Sequence, residues 1–230
     1  MGSASNGHDS VASQVISSDH WPEIRVLILV ANAAQKETSS TDGMQRSVET
    51  SPLLNYRARE IVESRMKEME NSLINRDFQS FAELTMKDSN QFHACCLDTY
   101  PPIFYLNDTS KHIIHTITTI NQLNNNYPMA AYTFDAGPNA VIYTLDKHMN
   151  SLIELFNTLY NNENNNSFIY DPMNLSSSSS NTNNNNDSVS DEWLKSISPV
   201  KSNIKVHQLI VSKVGEGAKI TSKSHTMKSQ

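Results

Sequence analysis

The segment Ala131-Tyr132-Thr133-Phe134-Asp135-Ala136-Gly137-Pro138-Asn139-Ala140 constrains the fold of this chain more than any other. An apolar run ends in Asp135, a Gly-Pro-Asn turn follows at once, and a second apolar run, Val141 to Leu145, leads away. Turn residues between two β-prone runs read as a hairpin, so the chain builds at least one antiparallel strand pair. The turn places a carboxylate at its mouth. That carboxylate either faces a ligand or caps the turn, as Asp often does for structural reasons alone.

The rest of the pattern supplies partners for the hairpin. Ile24 to Ala31 is a near-continuous, branched apolar run and reads as a strand buried on both faces. Glu37 to Gly43 is small and polar, a loop. Ser51 and Pro52 open a helix, Ser as N-cap and Pro at the first helical position. Leu54, Ala58, Ile61, Met66, Met69 and Leu73 follow on one face, opposite Arg57, Glu60, Glu63, Glu68 and Glu70. Asp77 caps a second helix, with Phe78, Phe81 and Ala82 inward, running to about Cys96 and stopped by Pro101-Pro102. Asp108-Thr109-Ser110 caps a third, with Ile113, Ile114, Ile117 and Ile120 inside. A fourth starts near His148 and buries Leu152, Leu155, Phe156 and Leu159. A last strand lies near Val206 to Val214.

Asn161 to Asp191 departs from this pattern. Asn and Ser dominate it, and so little apolar surface does not offset the entropy of ordering, so it reads as a disordered insertion in a surface loop. The globular part is then residues 1–160 and 192–220 folding together, with 221–230 a tail. A length of 230 residues suits one domain plus loops.

With 18 Lys+Arg against 24 Asp+Glu, the net charge of −6 argues against a nucleic-acid partner or an anionic membrane surface. No apolar run approaches the roughly 18–20 residues of a membrane span, and no signal-peptide pattern is present. Met1-Gly2 fails the myristoylation pattern at Asn6. The two cysteines, Cys95 and Cys96, are neighbours and imply no disulfide framework, so a reducing, cytosolic setting is expected.

Several candidate chemistries fall away. Val214-Gly215-Glu216-Gly217 follows a strand but precedes no helix, so it is a chain-exit turn rather than a phosphate loop. Gly7-His8-Asp9-Ser10 has the residue types of a hydrolase triad but not its geometry. His93, His112, His115, His148 and His207 are not at metal-ligand spacing, and no bound metal is expected. Ser39-Ser40-Thr41-Asp42-Gly43-Met44-Gln45, a hydroxyl-rich loop between strand and helix, either contacts a ligand or simply turns the chain.

Taken together, several blocks carry a family resemblance. They are Gly7-His8-Asp9-Ser10, His20-Trp21-Pro22, Val26 to Val30, Ser39-Ser40-Thr41-x-Gly43-Met44, Asp88-Ser89-Asn90-x-Phe92-His93-Ala94, Pro101 to Ser110, and Tyr132 to Ala140. In order and spacing they resemble diphosphomevalonate decarboxylase, a family of the GHMP kinase superfamily. The likeness covers about residues 1–160 and 200–218 and skips the Asn/Ser stretch.

The resemblance implies an α+β lobe with a mostly antiparallel sheet covered by helices on one side. In the family two such lobes flank the active site, and this chain resembles the C-terminal one only. The N-terminal, ATP-binding lobe is absent from it. The implied reaction is ATP-dependent. The 3-hydroxyl of mevalonate 5-diphosphate is phosphorylated, then phosphate and carbon dioxide leave to give isopentenyl diphosphate. Asp135 matches the catalytic carboxylate beside that hydroxyl. Ser40, Thr41 and Met44 match the substrate-contacting loop. Related mevalonate 3-kinases lack this Asp, so its presence favours decarboxylase descent. ATP is the co-substrate and Mg2+ is expected with it, their contacts belonging to the other lobe. A homodimer is also implied. Without that lobe's cationic groups the isolated chain is expected to be inactive. The alternative is a truncated, non-catalytic interaction module that binds itself or full-length enzyme.

Overall fold

The structure is a computed structural model that describes residues 6, 8, 9, 11–31, 40–161, 165–178 and 191–216 of the chain. Among these, five strands form one sheet in the order β2-β3-β1-β5-β4. The central strand β1 (Ile24–Val30) pairs antiparallel with β3 (Ala140–Leu145) on one side and β5 (Gln208–Lys213) on the other. The hairpin expected around Asp135 is present: β2 (Ala130–Phe134) pairs antiparallel with β3. The two-residue β4 (Ile169–Tyr170) adds to β5 in parallel.

One sheet face carries the main core. Leu27, Leu29, Ile142, Leu209 and Val211 meet α5 (Asp108–Leu123) and α6 (Asp146–Tyr160). Ile113, Ile117 and Ile120 of α5, with Met149, Leu152, Leu155 and Phe156 of α6, are fully buried there. Each side chain so buried stabilises the fold by about 1.5–3 kcal/mol. On α5 and α6 the expected inner stripes hold except at Ile114 and Leu159, which are half-buried; the stripe expected from Leu54 to Leu73 does not hold, since Ala58 and Met66 are exposed, while Arg57, expected on the outer face, is half-buried.

The other face is covered as well, which corrects the expectation of helices on one side. α3 (Val62–Asn75) and α4 (Phe78–Asp98) lean on its β2–β3 side, where Phe78, Phe81 and Ala82 pack with Trp21, Ile24 and Ala131. Trp21 meets Phe81, and Phe81 meets Tyr143, edge to face. Among the described residues the helical cover does not extend across β1. Val26, Ile28 and Val30 therefore stay half-buried, while Leu27 and Leu29 on the main-core face are closed off. The fold class is α+β, with a mostly antiparallel sheet covered by helices.

Local signals account for most boundaries. Ser51 caps α2 (Pro52–Tyr56) by accepting from the Leu54 amide, and Asp77 caps α4 by accepting from Ser80. A π-helical turn, Arg57–Ile61, joins α2 to α3. Arg57 and Arg65 converge on Asp88 and Gln91 and so tie these helices to α4. The cap of α5 sits one residue earlier than expected, at Asn107, which forms a reciprocal pair with Ser110.

Two expectations fail. The stretch around Ser40 is not a loop: α1 spans Ser40–Thr50 and is pinned to the end of α4 where Ser47 Oγ meets Thr99 Oγ1 at 2.8 Å. The Asn/Ser stretch is not disordered throughout. Phe168 is 2% exposed and joins the main core with Leu175, which opens α7 (Leu175–Ser178), so its few apolar residues suffice to fix residues 165–178. The short α8 (Asp191–Ser196) follows. Residues 179–190 and the tail 221–230 lie outside the described residues.

β2 is an edge strand, and an edge exposes unpaired peptide groups. At its start the buried Asn121 of α5 resolves this. Its amide nitrogen donates to the Ala130 carbonyl at 2.8 Å, and its oxygen accepts from the Ala130 N–H at 3.3 Å.

Candidate active site

Asp135 follows β2 directly and is exposed, while Phe134 before it and Gly137 after it are buried. The turn is closed by the backbone of Asp135: its carbonyl accepts from the Gly137 N–H at 2.7 Å. The carboxylate makes no hydrogen bond with a described residue, so of the two readings open from sequence the turn does not depend on it. Three other elements hold the turn. Ser110, in the first turn of α5, donates through its hydroxyl to the Pro138 carbonyl at 3.0 Å. Asn139 accepts through Oδ1 from the Ala31 N–H, just beyond β1, at 2.9 Å. From α4, Ser89 Oγ accepts from the Phe134 N–H at 3.1 Å, and His93 Nε2 lies 3.3 Å from the Phe134 carbonyl oxygen.

A carbonyl oxygen only accepts, so Nε2 carries the proton in that last contact. Burial lowers the pKa of His93, opposed by its bond to Phe134 and by the Asp135 charge. The neutral Nε2–H tautomer is thus the form that fits.

Tyr105 continues the wall. Its ring stands edge-on to His93, with centroids 6.5 Å apart, and His93 is edge-on to Phe134 at 6.3 Å. On its far side lies Gly43 of α1, where a Cβ would run into the Tyr105 hydroxyl. This is a close approach that a side chain at 43 allows only if Tyr105 moves. Burial raises the pKa of Tyr105, as do Cys96, Asp135 and Asp42, with Arg46 opposing. The charges of Asp135 and of Asp42 in α1 thus act on the same phenol.

The residues expected to touch substrate lie on that helix start rather than on a loop. Thr41 and Met44 are exposed, Met44 at 62%, and Ser40 is the first residue of α1. Tyr105 lies against α1 at Gly43 and is linked to the Asp135 turn through His93 and Phe134; among the described residues no hydrogen bond joins Thr41 to Asp135. Sequence reading gave Ser89, His93, Tyr105, Ser110 and Asn139 no part in the site; Ser110 and Asn139 were read only as cap and turn residues. All five fall within the blocks that carry the family resemblance, which is the signal that marks them.

Other candidates resolve as structure. Cys95 and Cys96 are buried free thiols, and burial pushes Cys96 up to about 11. His112 is held between the Tyr160 hydroxyl and the Ser198 carbonyl, each at 2.9 Å. Of the Gly7-His8-Asp9-Ser10 segment, only His8 and Asp9 are among the described residues, and both are exposed. A groove of about 370 Å³ passes Thr133, but Arg57 and Arg65 on its rim are held by Asp88. Among the described residues no group of three His, Cys, Asp or Glu is disposed to hold a metal ion, and no helix is long and apolar enough to cross a membrane.

The model of the mevalonate 5-diphosphate decarboxylase C-terminal domain matches residues 26–221. The chain belongs to the mevalonate 5-diphosphate decarboxylase family. It is 44% identical over 220 residues to the diphosphomevalonate decarboxylase of Danio rerio, a match covering 96% of this chain and 52% of the relative. The solved mevalonate diphosphate decarboxylase of Trypanosoma brucei superposes with a TM-score of 0.85 at 32% identity, over 98% of this chain and 58% of that one. The chain thus spans about half the length of the relatives it matches. A further solved structure, MDDEF in complex with MVAPP, AMPPCP and magnesium, shares the fold at a TM-score of 0.56 and 24% identity, over 64% of this chain and 44% of that one.

Proposed function

We propose that this chain forms the C-terminal wall of an ATP-dependent diphosphomevalonate decarboxylase, with Asp135 as its catalytic residue. The observation that carries the reading is the Asp135 turn. The carboxylate is exposed and makes no hydrogen bond with a described residue, while the turn that carries it is held by α4, by α5 and by the Ala31 N–H just beyond β1. That much support under a group that no described residue engages suits a residue that must meet a substrate atom in fixed geometry.

The chemistry asks for such a group. A tertiary alcohol is a weak nucleophile and needs a partner for its proton as it attacks phosphorus. Asp135 orients the 3-hydroxyl, takes its proton, or does both. The new phosphate ester then makes a better leaving group than hydroxide. It departs as the C1–C2 bond breaks to release carbon dioxide, leaving the alkene of isopentenyl diphosphate. Ser40, Thr41 and Met44 line the substrate from α1, and Tyr105 separates that helix start from the carboxylate. ATP and Mg2+ bind through the part of the family's length that this chain does not span; the AMPPCP and magnesium complex of MDDEF supports their use. Cytosolic placement, a role in sterol and other isoprenoid synthesis, and a homodimer belong to the same proposal and rest on the family resemblance.

The test extends the chain at its N-terminus with the portion of the Danio rerio relative that precedes the matched domain. ATP-dependent release of carbon dioxide from mevalonate 5-diphosphate is then followed. Activity is expected in the extended protein, little or none in the 230 residues alone, and at least about a thousandfold less in the extended Asp135→Asn variant. Full turnover in that variant removes Asp135 from the mechanism.

A further inference from the structure

Both ends of β2 present an outward peptide pair that has no neighbouring strand. At Ala130 one buried asparagine takes both groups. At Phe134, the residue before Asp135, two residues of α4 share the task. Ser89 takes the N–H and His93 the carbonyl, which belongs to the peptide bond leading into Asp135. Resting on the reading of Asp135 above, we infer that Ser89 and His93 are positioning residues for Asp135.

The geometry favours this over a purely structural role. With Phe134 gripped on both sides, the peptide plane that sets the direction of the Asp135 side chain has little freedom. The grip comes from a long helix rather than a loop. Residues 78–98 form that helix, and it is anchored at its other side by the Arg57–Asp88–Arg65 pairs. His93 is itself braced, edge-on to Phe92, Tyr105 and Phe134. Its ring lies close enough to Asp135 to feel the carboxylate charge. Nε2 must be the donor, so a residue that places an N–H at the same point should replace it, and an apolar residue should not. A glutamine amide reaches to about the same place as Nε2.

The experiment has two parts. In the 230-residue chain, amide hydrogen exchange at Phe134 is measured by NMR. Ser89→Ala should raise its exchange rate about tenfold, because the N–H loses its acceptor. In the extended protein, His93→Leu should lower kcat about 100-fold with KM unchanged within about twofold, as expected for a misplaced catalytic group. His93→Gln should recover most of that loss, and Ser89→Ala should lower kcat about tenfold. Asn121→Ala is the structural control: it opens the other end of the same strand and should lower the melting temperature while leaving kcat unchanged. In an Asp135→Ala background, His93→Leu should cost nothing further. The inference is overturned if His93→Gln is as impaired as His93→Leu, if Ser89→Ala keeps full kcat and leaves Phe134 exchange unchanged, or if Asn121→Ala loses kcat as His93→Leu does. Should Asp135→Ala alone keep full turnover, the catalytic reading itself fails and this inference falls with it, an outcome distinct from the others.

Discussion

The turn that carries Asp135 and the helix start that carries Thr41 and Met44 border the same tyrosine, yet they are held in opposite ways. The turn is fastened by α4, α5 and the residue after β1, through four hydrogen bonds to Phe134, Pro138 and Asn139. The first turn of α1 leaves Thr41 and Met44 exposed; it is anchored at Gly43, between them, beneath Tyr105, and one turn on at Ser47 against Thr99. The group proposed for chemistry is thus fixed before substrate arrives. The groups proposed for binding have no described partner to brace them, which suits residues that complete their contacts only when a ligand is present.

The sharpest way to break this comparison is through turnover. In the extended protein, Asp135→Asn should lower kcat by about 10³-fold or more, whereas Thr41→Ala should act mainly on KM; equal effects of both on kcat would erase the distinction. Next comes stability. Asn139→Ala strands the Ala31 N–H and should cost about 1–3 kcal/mol, and Ser110→Ala removes both a helix cap and a turn contact at about 1–2 kcal/mol, read from denaturant midpoints.

A pH series sharpens the same side of the comparison. His93 and His112 both have pKa values lowered mainly by burial. A folded pKa below the unfolded one, about 6.5, means the unfolded state binds the proton more readily. Their contribution is therefore present above about pH 6.5 and is lost as pH falls through the folded values. The melting temperature should drop on acidification toward pH 5, and His112→Gln should flatten the drop. A profile unchanged by that substitution would contradict it. The smallest effect is expected at α1: Met44→Ala and Thr41→Ala should change unfolding free energy by no more than about 0.5 kcal/mol.

Much of this arrangement was legible in the residues. The hairpin follows from Gly137-Pro138-Asn139 between two apolar runs, α4 begins where Asp77 offers a cap, and α5 buries the isoleucine stripe that its spacing announces. These are local signals, readable within a few residues. α1 was hidden because Ser40, Thr41, Asp42 and Gly43 are turn residues by propensity, and only packing against Tyr105 and Thr99 gives them a helix to join. β4 was hidden because the short run Phe168-Ile169-Tyr170 lies within an Asn- and Ser-rich stretch, and the core that Phe168 enters is built by residues distant in sequence. The grip of Ser89 and His93 on Phe134 has no local signature at all. It exists only because α4 lies along the open edge of β2.

The central position of β1 also sets an order of events during synthesis. Leu27 lies opposite Ile142 on one side and Val211 on the other. The strand made first among the five must therefore wait for one partner from the middle of the chain and another from near its end. Until the ribosome has released residues 208–213, the main-core residues Leu27 and Leu29 have a neighbour on one side only, an interval in which a nascent chain is exposed to mispairing and calls on chaperones.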